Sequence, residues 1–428
     1  MEAKVDVLLV GGGGREHALA WKLRQSSRLG KLYIAPGNAG TLACGENVPI
    51  PATDIPALAK FATENKITMT VCSMDDPLAA GIVDFFKSCG MRIWGPLKGA
   101  AQIESSKAFA KQLMKQMNIP TAEYGVFTNY DEALRYVRSH KAPIVVKASG
   151  LALGKGVYVC QSLDEAESAL HDLMVMRVHK DAGNTVIVEE FLEGQEISIH
   201  AIVDSRNFLM FPPSQDHKRI GDSDTSKNTG GMGTIAPVPW VTQENMTDIE
   251  ANIVRPALKM LGARGSPYVG VLYPGISMSP QGPKVLEFNA RMGDPETQVY
   301  MRLLKNDLLD LLEASIFVNL DKVKLEWSPG FAVNIVIASG GYPDEYKKGF
   351  PITGIEEAEK VEGVVVFHAG TAIESGQLVT AGGRVLGVSA TGATLKEALD
   401  SAYEACDKIH FEGMYFRRDI GAKALESK

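Results

Sequence analysis

The sequence predicts an α/β and α+β multidomain fold, and three observations carry that prediction. A chain of 428 residues exceeds what one hydrophobic core organises, since single cores stop growing at roughly 250 residues. The first hundred residues alternate short apolar runs with helical patterns. After them come β-rich segments with glycine-rich turns, parted by punctuated joints.

In the first part, residues 5–10, 32–35, 69–72 and 92–94 read as strands with helices between, a βαβ arrangement with a parallel sheet. Near Ser105 the rhythm changes: a helix through Lys107 and Phe109 runs to Ile119-Pro120, which breaks it. Residues 1–104 therefore form an N-terminal domain and 105–191 a small lobe led by that linker helix. Within the lobe, 144–147 and 185–190 are β-branched strands. Residues 192–326 form a larger lobe whose polar stretch 214–233 exceeds a plain connector. Trp327-Ser328-Pro329-Gly330 is the last joint, and strands at 331–339, 364–369 and 384–389 make residues 327–428 a β-rich C-terminal domain.

Composition excludes several classes. With 45% hydrophobic and 22% charged residues the chain is an ordinary folding sequence. A net charge of −7 supplies no general field for nucleic acid or an anionic membrane, so any phosphate site is built locally. Cys44, Cys72, Cys89, Cys160 and Cys406 are scattered without a Cys-x-x-Cys pair, which argues against disulfides and structural zinc and for a reducing, cytoplasmic setting. The start has neither a leader pattern nor a spanning stretch, although a transit peptide already removed would leave no trace.

Five segments carry chemistry. Gly11-Gly12-Gly13-Gly14-Arg15 turns the first strand into a helix whose N-terminal amides suit an anion. The dinucleotide pattern fails there, because Glu16 or His17 takes the third glycine position and no acid follows the second strand. Gly150 to Gly156, with Gly154, Lys155 and Gly156, follows a strand ending in Lys147; such a loop can fold over nucleotide phosphates, but it lacks Walker A spacing. A solvated hairpin with two surface lysines is the alternative. Glu287, Asn289 and Arg291 share one face of a strand at period two. A carboxylate and an amide oxygen suit magnesium completed by substrate phosphates, which Arg291 would meet from the side. Glu189-Glu190-Phe191-Leu192 closes another strand, where a hinge could hold adenine by its main chain and ribose by Glu196. Asp216, in Gln215-Asp216-His217-Lys218, could hold an amino group; His217 is given no acid–base role.

Together with Pro36-Gly37-Asn38-Ala39-Gly40-Thr41, Ser105-Ser106-Lys107, Val146-Lys147-Ala148-Ser149-Gly150, the run 228–233, Leu286-Glu287-Phe288-Asn289, His368-Ala369-Gly370-Thr371 and Gly382-Gly383-Arg384-Val385, these segments resemble the phosphoribosylamine–glycine ligase family of the ATP-grasp superfamily along nearly the whole chain. The resemblance implies a Rossmann-like N domain, a two-lobed ATP-grasp fold and a C-terminal domain closing the cleft. It implies ATP with Mg2+ or Mn2+, glycine and 5-phosphoribosylamine as small-molecule substrates, and ligation through glycyl phosphate in purine biosynthesis. It assigns phosphates to Lys107 and Lys147, adenine to Glu189, Glu190, Phe191 and Leu192, ribose to Glu196, and the metal to Glu287 and Asn289. Asp216, Arg291 and Asp294 surround glycine and its activated carboxyl, while Gly13, Gly14, Arg15 and Asn38 belong to the phosphoribosylamine side. A monomer or weak oligomer is expected, with room for transient contact with neighbouring purine-pathway enzymes.

One segment departs from the family pattern. Where the family reads Gly-Pro-Glu-x-Pro-Leu, this chain has Ser73-Met74-Asp75-Asp76-Pro77-Leu78. Asp75 is one methylene, about 1.5 Å, shorter than the family acid expected near the ribose, so Asp75 or Asp76 is expected to contact the ribose after a small shift while the phosphate binds at Gly13 to Arg15. The rival expectations are another ATP-grasp carboxylate–amine ligase and a catalytically inactive nucleotide-binding protein. Pairing of Gln215-Asp216-His217-Lys218 with His368-Ala369-Gly370-Thr371 favours the glycine ligase over the first, and retention of Lys147, Glu287, Asn289 and Arg291 disfavours the second.

Overall fold

The computed structural model describes residues 4–152 and 155–426. Its first sheet has five parallel strands in the order Glu46–Asn47, Leu29–Pro36, Val5–Gly11, Met69–Cys72, Ile93–Trp94. Val7, Leu8, Leu9 and Val10 are wholly buried, as a strand covered by helices on both faces demands. Strand order reverses direction between Val5–Gly11 and Met69–Cys72, and ligands of open α/β sheets bind outside the carboxyl ends at such a point. The glycine turn and Asp75 stand there.

The linker helix Lys107–Gln116 starts at Ser106, whose hydroxyl accepts from the Phe109 amide, and stops short of Pro120. The small lobe is a four-stranded antiparallel sheet in the order Tyr124–Phe127, Val186–Glu190, Ile144–Ala148, Val157–Cys160. Helices Tyr130–Arg138 and Leu163–Leu170, capped by Asn129 and Ser162, bury its outer face. Alternation then turns Val145, Lys147, Val157, Val159 and Glu189 to the inner face. The large lobe is built on the long strand Val269–Ser279, which pairs with Gln195–Ser198, Ala201–Asp204 and Gly282–Asn289.

The polar stretch 214–233 is folded. Its ends are the strands Gln215–Asp216 and Gly233–Ala236, and between them stands the hairpin Arg219–Gly221 with Thr225–Asn228. Those end strands extend the C-terminal sheet, whose order is Gln215–Asp216, Gly233–Ala236, Phe331–Ala338, Arg384–Gly392, Val364–His368. Such short strands without a clear period are invisible to pattern reading, because what holds them is pairing: Gln215–Asp216 lies on Gly233–Ala236, which in turn lies on Phe331–Ala338, about a hundred positions away. The helix Leu395–Cys406 covers this sheet. The helix Glu296–Leu303 packs on both Gly14–Leu23 and the C-terminal strands, so it ties the first domain to the last. Among the described residues, no helix is long and apolar enough to cross a membrane.

Candidate active site

Glu287 and Asn289 project from the strand Gly282–Asn289 into a cavity of about 770 Å³. A bulge beside Ile276 lets one residue slip, so Glu287 pairs with Gly275, which has no side chain to cover the carboxylate. Lys107 and Lys147 line the same cavity, and the Lys147 ammonium donates to the Leu286 carbonyl at 3.3 Å. Burial alone would raise the Glu287 carboxyl, but Lys218, Lys107, Lys147 and Arg291 outweigh it and hold the group at about 2. Glu287 is thus an anion at any physiological pH.

Those residues fit a divalent metal of the magnesium kind. Among the described residues, no three His, Cys, Asp or Glu side chains form a metal cage. A site offering Glu287 and Asn289 oxygens and leaving the remaining positions to phosphates is what such an ion accepts. Lys218, which sequence reading gave no role, contacts both Glu287, at 3.5 Å, and Glu196, so its ammonium supplies positive charge between the expected metal and ribose acids.

Glu190, Phe191, Leu192 and Glu196 all line the cavity, together with Gly194 and Gln195 at the joint between the lobes. Glu189 lines the cavity too, but its side chain is committed elsewhere, which leaves only its main chain for the hinge: it is 2% exposed and forms ion pairs with Lys147 and, at 2.6 Å, with Lys111. Both lysines overcome the burial that would raise it and hold the carboxyl below its usual range. Lys111 was missed, although its place one helical turn beyond Lys107 was the available signal. Gly156 and Lys155 line the cavity, and Lys155 donates to the Pro343 carbonyl at 2.8 Å across the cleft. Gly154 lies outside the described residues.

Towards the C-terminal sheet, Asp216 Oδ1 is buried without a hydrogen-bond partner. Burial and the neighbouring Glu296 push its carboxyl well above the usual range, Lys218 pulling the other way. Gly231 permits this placement: its φ is +109°, and a Cβ there would stand 2.6 Å from Asp216 Oδ1. Glu296 accepts from the Tyr273 hydroxyl at 2.6 Å and the Ser198 hydroxyl at 2.9 Å. Two acids facing each other, one with an unsatisfied oxygen, suit an ammonium group. Asp294 is tied to Arg384 at 3.0 Å, and that arginine with nearby Arg15 keeps its carboxyl low despite burial. His217 spends both ring nitrogens on main chain, Nδ1 donating to Gly233 and Nε2 accepting from Gly421.

The first domain contributes Arg15 and Asp75 to the cavity wall. Gly13 and Gly14 are not in that wall, and the Gly13 amide is already taken by Glu16 Oε2 at 2.8 Å, so fewer amides are open than the turn suggested. Gly12 is needed for packing, since a Cβ would fall 2.4 Å from the Gly37 carbonyl. Asn38 is corrected as well. Its amide donates to the Gly12 and His368 carbonyls while its oxygen accepts from the Gly40 and Thr41 amides, so the side chain joins the turn to the C-terminal domain and has nothing left for substrate. In the departing segment, the Ser73 hydroxyl accepts from the Met292 amide, a bond that a glycine could not offer. Asp75 begins the next helix, and Arg291 and Arg15 hold it ionised against burial.

Comparison with known proteins decides the family. Three family models match in succession: the N domain of phosphoribosylglycinamide synthetase over residues 5–104, its ATP-grasp (A) domain over 105–297 and its C domain over 332–423. A phosphoribosylamine–glycine ligase of Vibrio cholerae is 48% identical over 424 residues, covering 98% of this chain and 99% of that protein. The chain belongs to the phosphoribosylamine–glycine ligase family. The Chlorobaculum tepidum ligase is 49% identical, covering 98% of this chain and 100% of its own. The crystal structure of the Thermotoga maritima ligase superposes with a TM-score of 0.85 at 34% identity, over 97% of this chain and 100% of that one. A Campylobacter jejuni biotin carboxylase shares the fold alone, with a TM-score of 0.73 at 14% identity, over 96% and 92%. The chain is thus a ligase of the ATP-grasp fold, and the family uses ATP with a divalent metal.

Proposed function

We propose that this chain joins glycine to 5-phosphoribosylamine, converting ATP to ADP and phosphate and yielding glycinamide ribonucleotide, a step of purine biosynthesis. The reading is carried by one cavity whose wall includes Glu287, Asn289, Lys107 and Lys147 together with Arg15 and Asp75 of the first domain. ATP and the ribosylamine can therefore be held within reach of a common glycine.

A carboxylate oxygen is a poor leaving group, so glycine is activated first. Its oxygen attacks the γ-phosphorus, the bond to the β-phosphate oxygen breaks, and ADP leaves with that electron pair. The obstacle is negative charge meeting negative charge, which Lys107, Lys147 and Arg291 offset from fixed positions. Glu287 and Asn289 would hold the metal, magnesium or manganese, which when bound supplies further positive charge at the phosphates. The ribosylamine nitrogen then attacks the acyl carbon of glycyl phosphate, phosphate departs, and the nitrogen loses a proton. Asp216 with Glu296 holds the glycine ammonium and keeps that nitrogen from competing as nucleophile. Asp75 faces the ribose, Arg15 the ribosyl phosphate, and the loop around Lys155 limits water at the acyl phosphate.

A cytoplasmic setting fits the five unpaired cysteines. Phosphate release measured with each substrate omitted in turn tests the reading. Release that needs ATP, glycine and phosphoribosylamine together supports it; glycine-independent hydrolysis points instead to a relative with another acceptor.

A further inference from the structure

We propose that Glu104 is a positioning residue that aims Arg291 at the transferring phosphoryl group and makes that aim depend on how the first domain is seated. The proposal rests on the role given to Arg291 above. Glu104 lies in the last turn of the helix Lys98–Ser105, at the end of the first domain. Its Oε1 is 3.0 Å from Arg291 Nη2, and its Oε2 accepts from the Ala290 amide at 2.8 Å. One carboxylate thus fixes both the guanidinium and the backbone at the end of the strand carrying Glu287 and Asn289.

Local chemistry disfavours a carboxylate at that place. The carbonyl end of a helix repels a negative charge, and Glu104 is only 8% exposed, so its desolvation must be offset by a partner. Arg291 is that partner, and it comes from the large lobe. A residue kept against its helix's preference and satisfied by a site arginine is the kind of local violation found where function requires it. The remaining geometry agrees: Arg291 Nη1 donates to the Met292 carbonyl at 3.1 Å, and Nε is buried with no partner among the described residues, leaving donor capacity on a guanidinium whose plane is already fixed. Arg291 and Glu104 both line the cavity, and Asp75 of the first domain adds its field to the same arginine. A shift of the first domain therefore reaches Arg291 through two acids at once.

The test is a double-mutant cycle of Glu104→Ala and Arg291→Ala. Its readouts are the single-turnover rate of phosphoryl transfer from ATP in the presence of glycine and ribosylamine, and nucleotide affinity by titration. Glu104→Ala is expected to slow the step by about 10–100-fold, as loss of a supporting contact does, with ATP affinity within about twofold. In the Arg291→Ala background the same change should matter by less than about threefold. An equal loss in both backgrounds, an unchanged rate, or a loss confined to ATP affinity overturns the proposal. Should Glu104→Ala fail to fold, Glu104→Gln keeps the volume and one acceptor, and must show a smaller loss with the same dependence on Arg291. Wild-type turnover by Arg291→Ala alone refutes the role of Arg291, a failure separable from that of Glu104.

Discussion

Lys147 and Glu189 are diagonal neighbours on adjacent antiparallel strands of the small lobe, and the Glu189 carboxylate is shared between Lys147 and Lys111. Two ammonium groups around one buried acid leave one positive charge in excess. Lys147 is thereby oriented toward the cavity, where it also meets the Leu286 carbonyl, while the surplus charge is available to phosphates.

Removing the acid should therefore harm folding as well as binding. Glu189→Ala strands two buried lysines, and a loss of about 3–5 kcal/mol in unfolding free energy is expected. Urea denaturation measures it. Glu189→Gln should lose less, and a stability equal to wild type for the alanine variant would show that water already reaches the pair.

Lys147→Met should lower kcat by about 10²–10³-fold, the cost of deleting one fixed electrostatic stabiliser of a transition state. Glycine affinity should barely change, because Lys147 is on the phosphate side. A purely KM effect on ATP would instead make Lys147 a ground-state binder.

Glu287 predicts a pH signature in the ligand-free protein. Its folded pKa of about 2 lies below the unfolded value near 4.5, so its stabilising contribution is complete above about pH 4.5 and fades as pH falls towards 2. The difference in unfolding free energy between wild type and Glu287→Gln should shrink across that window. A flat difference would mean that the four surrounding cations do not act on Glu287.

Asp216→Asn removes the carboxyl that, raised in the empty site, is expected to ionise against the glycine ammonium. KM for glycine should rise by about 10–100-fold, the loss of a charge-assisted contact of about 1.5–3 kcal/mol, with KM for ATP little changed. Equal rises for both substrates would place Asp216 in general support of the cleft.

Asp75 tests the departing segment. Asp75→Ala should raise KM for phosphoribosylamine selectively, and Asp75→Glu, one methylene longer, should retain activity. Insensitivity of both to the amine concentration would move the ribose contact elsewhere.

Much of this was legible in the sequence because it is local. Period-two spacing put Glu287 and Asn289 on one face, and the strand ends at 147 and 190 follow from β-branched runs bounded by turns. The sequence could not show which acids are already engaged. Glu189 reads as a hinge residue by its main chain, and nothing near it in sequence reveals Lys111 and Lys147 closing over its side chain. Asn38 sits in a family motif, yet its bonds to Gly12 and His368 depend on three segments meeting. Glu104 had no signal at all, since its partner lies 187 positions away in another lobe. Arg384 stood in a recognised motif, but its pairing with Asp294 likewise required the folded chain.

Nucleotide, metal and glycine are expected to meet between the lysines of the small lobe and the acid–amide pair of the large one. A crystal structure with a non-hydrolysable ATP analogue, magnesium and glycine should then show the metal held by Glu287 and Asn289 beside the nucleotide phosphates, with Lys147 on those phosphates and the glycine ammonium at Asp216. Nucleotide phosphates seated away from Lys147, or a metal that touches neither Glu287 nor Asn289, would contradict that expectation.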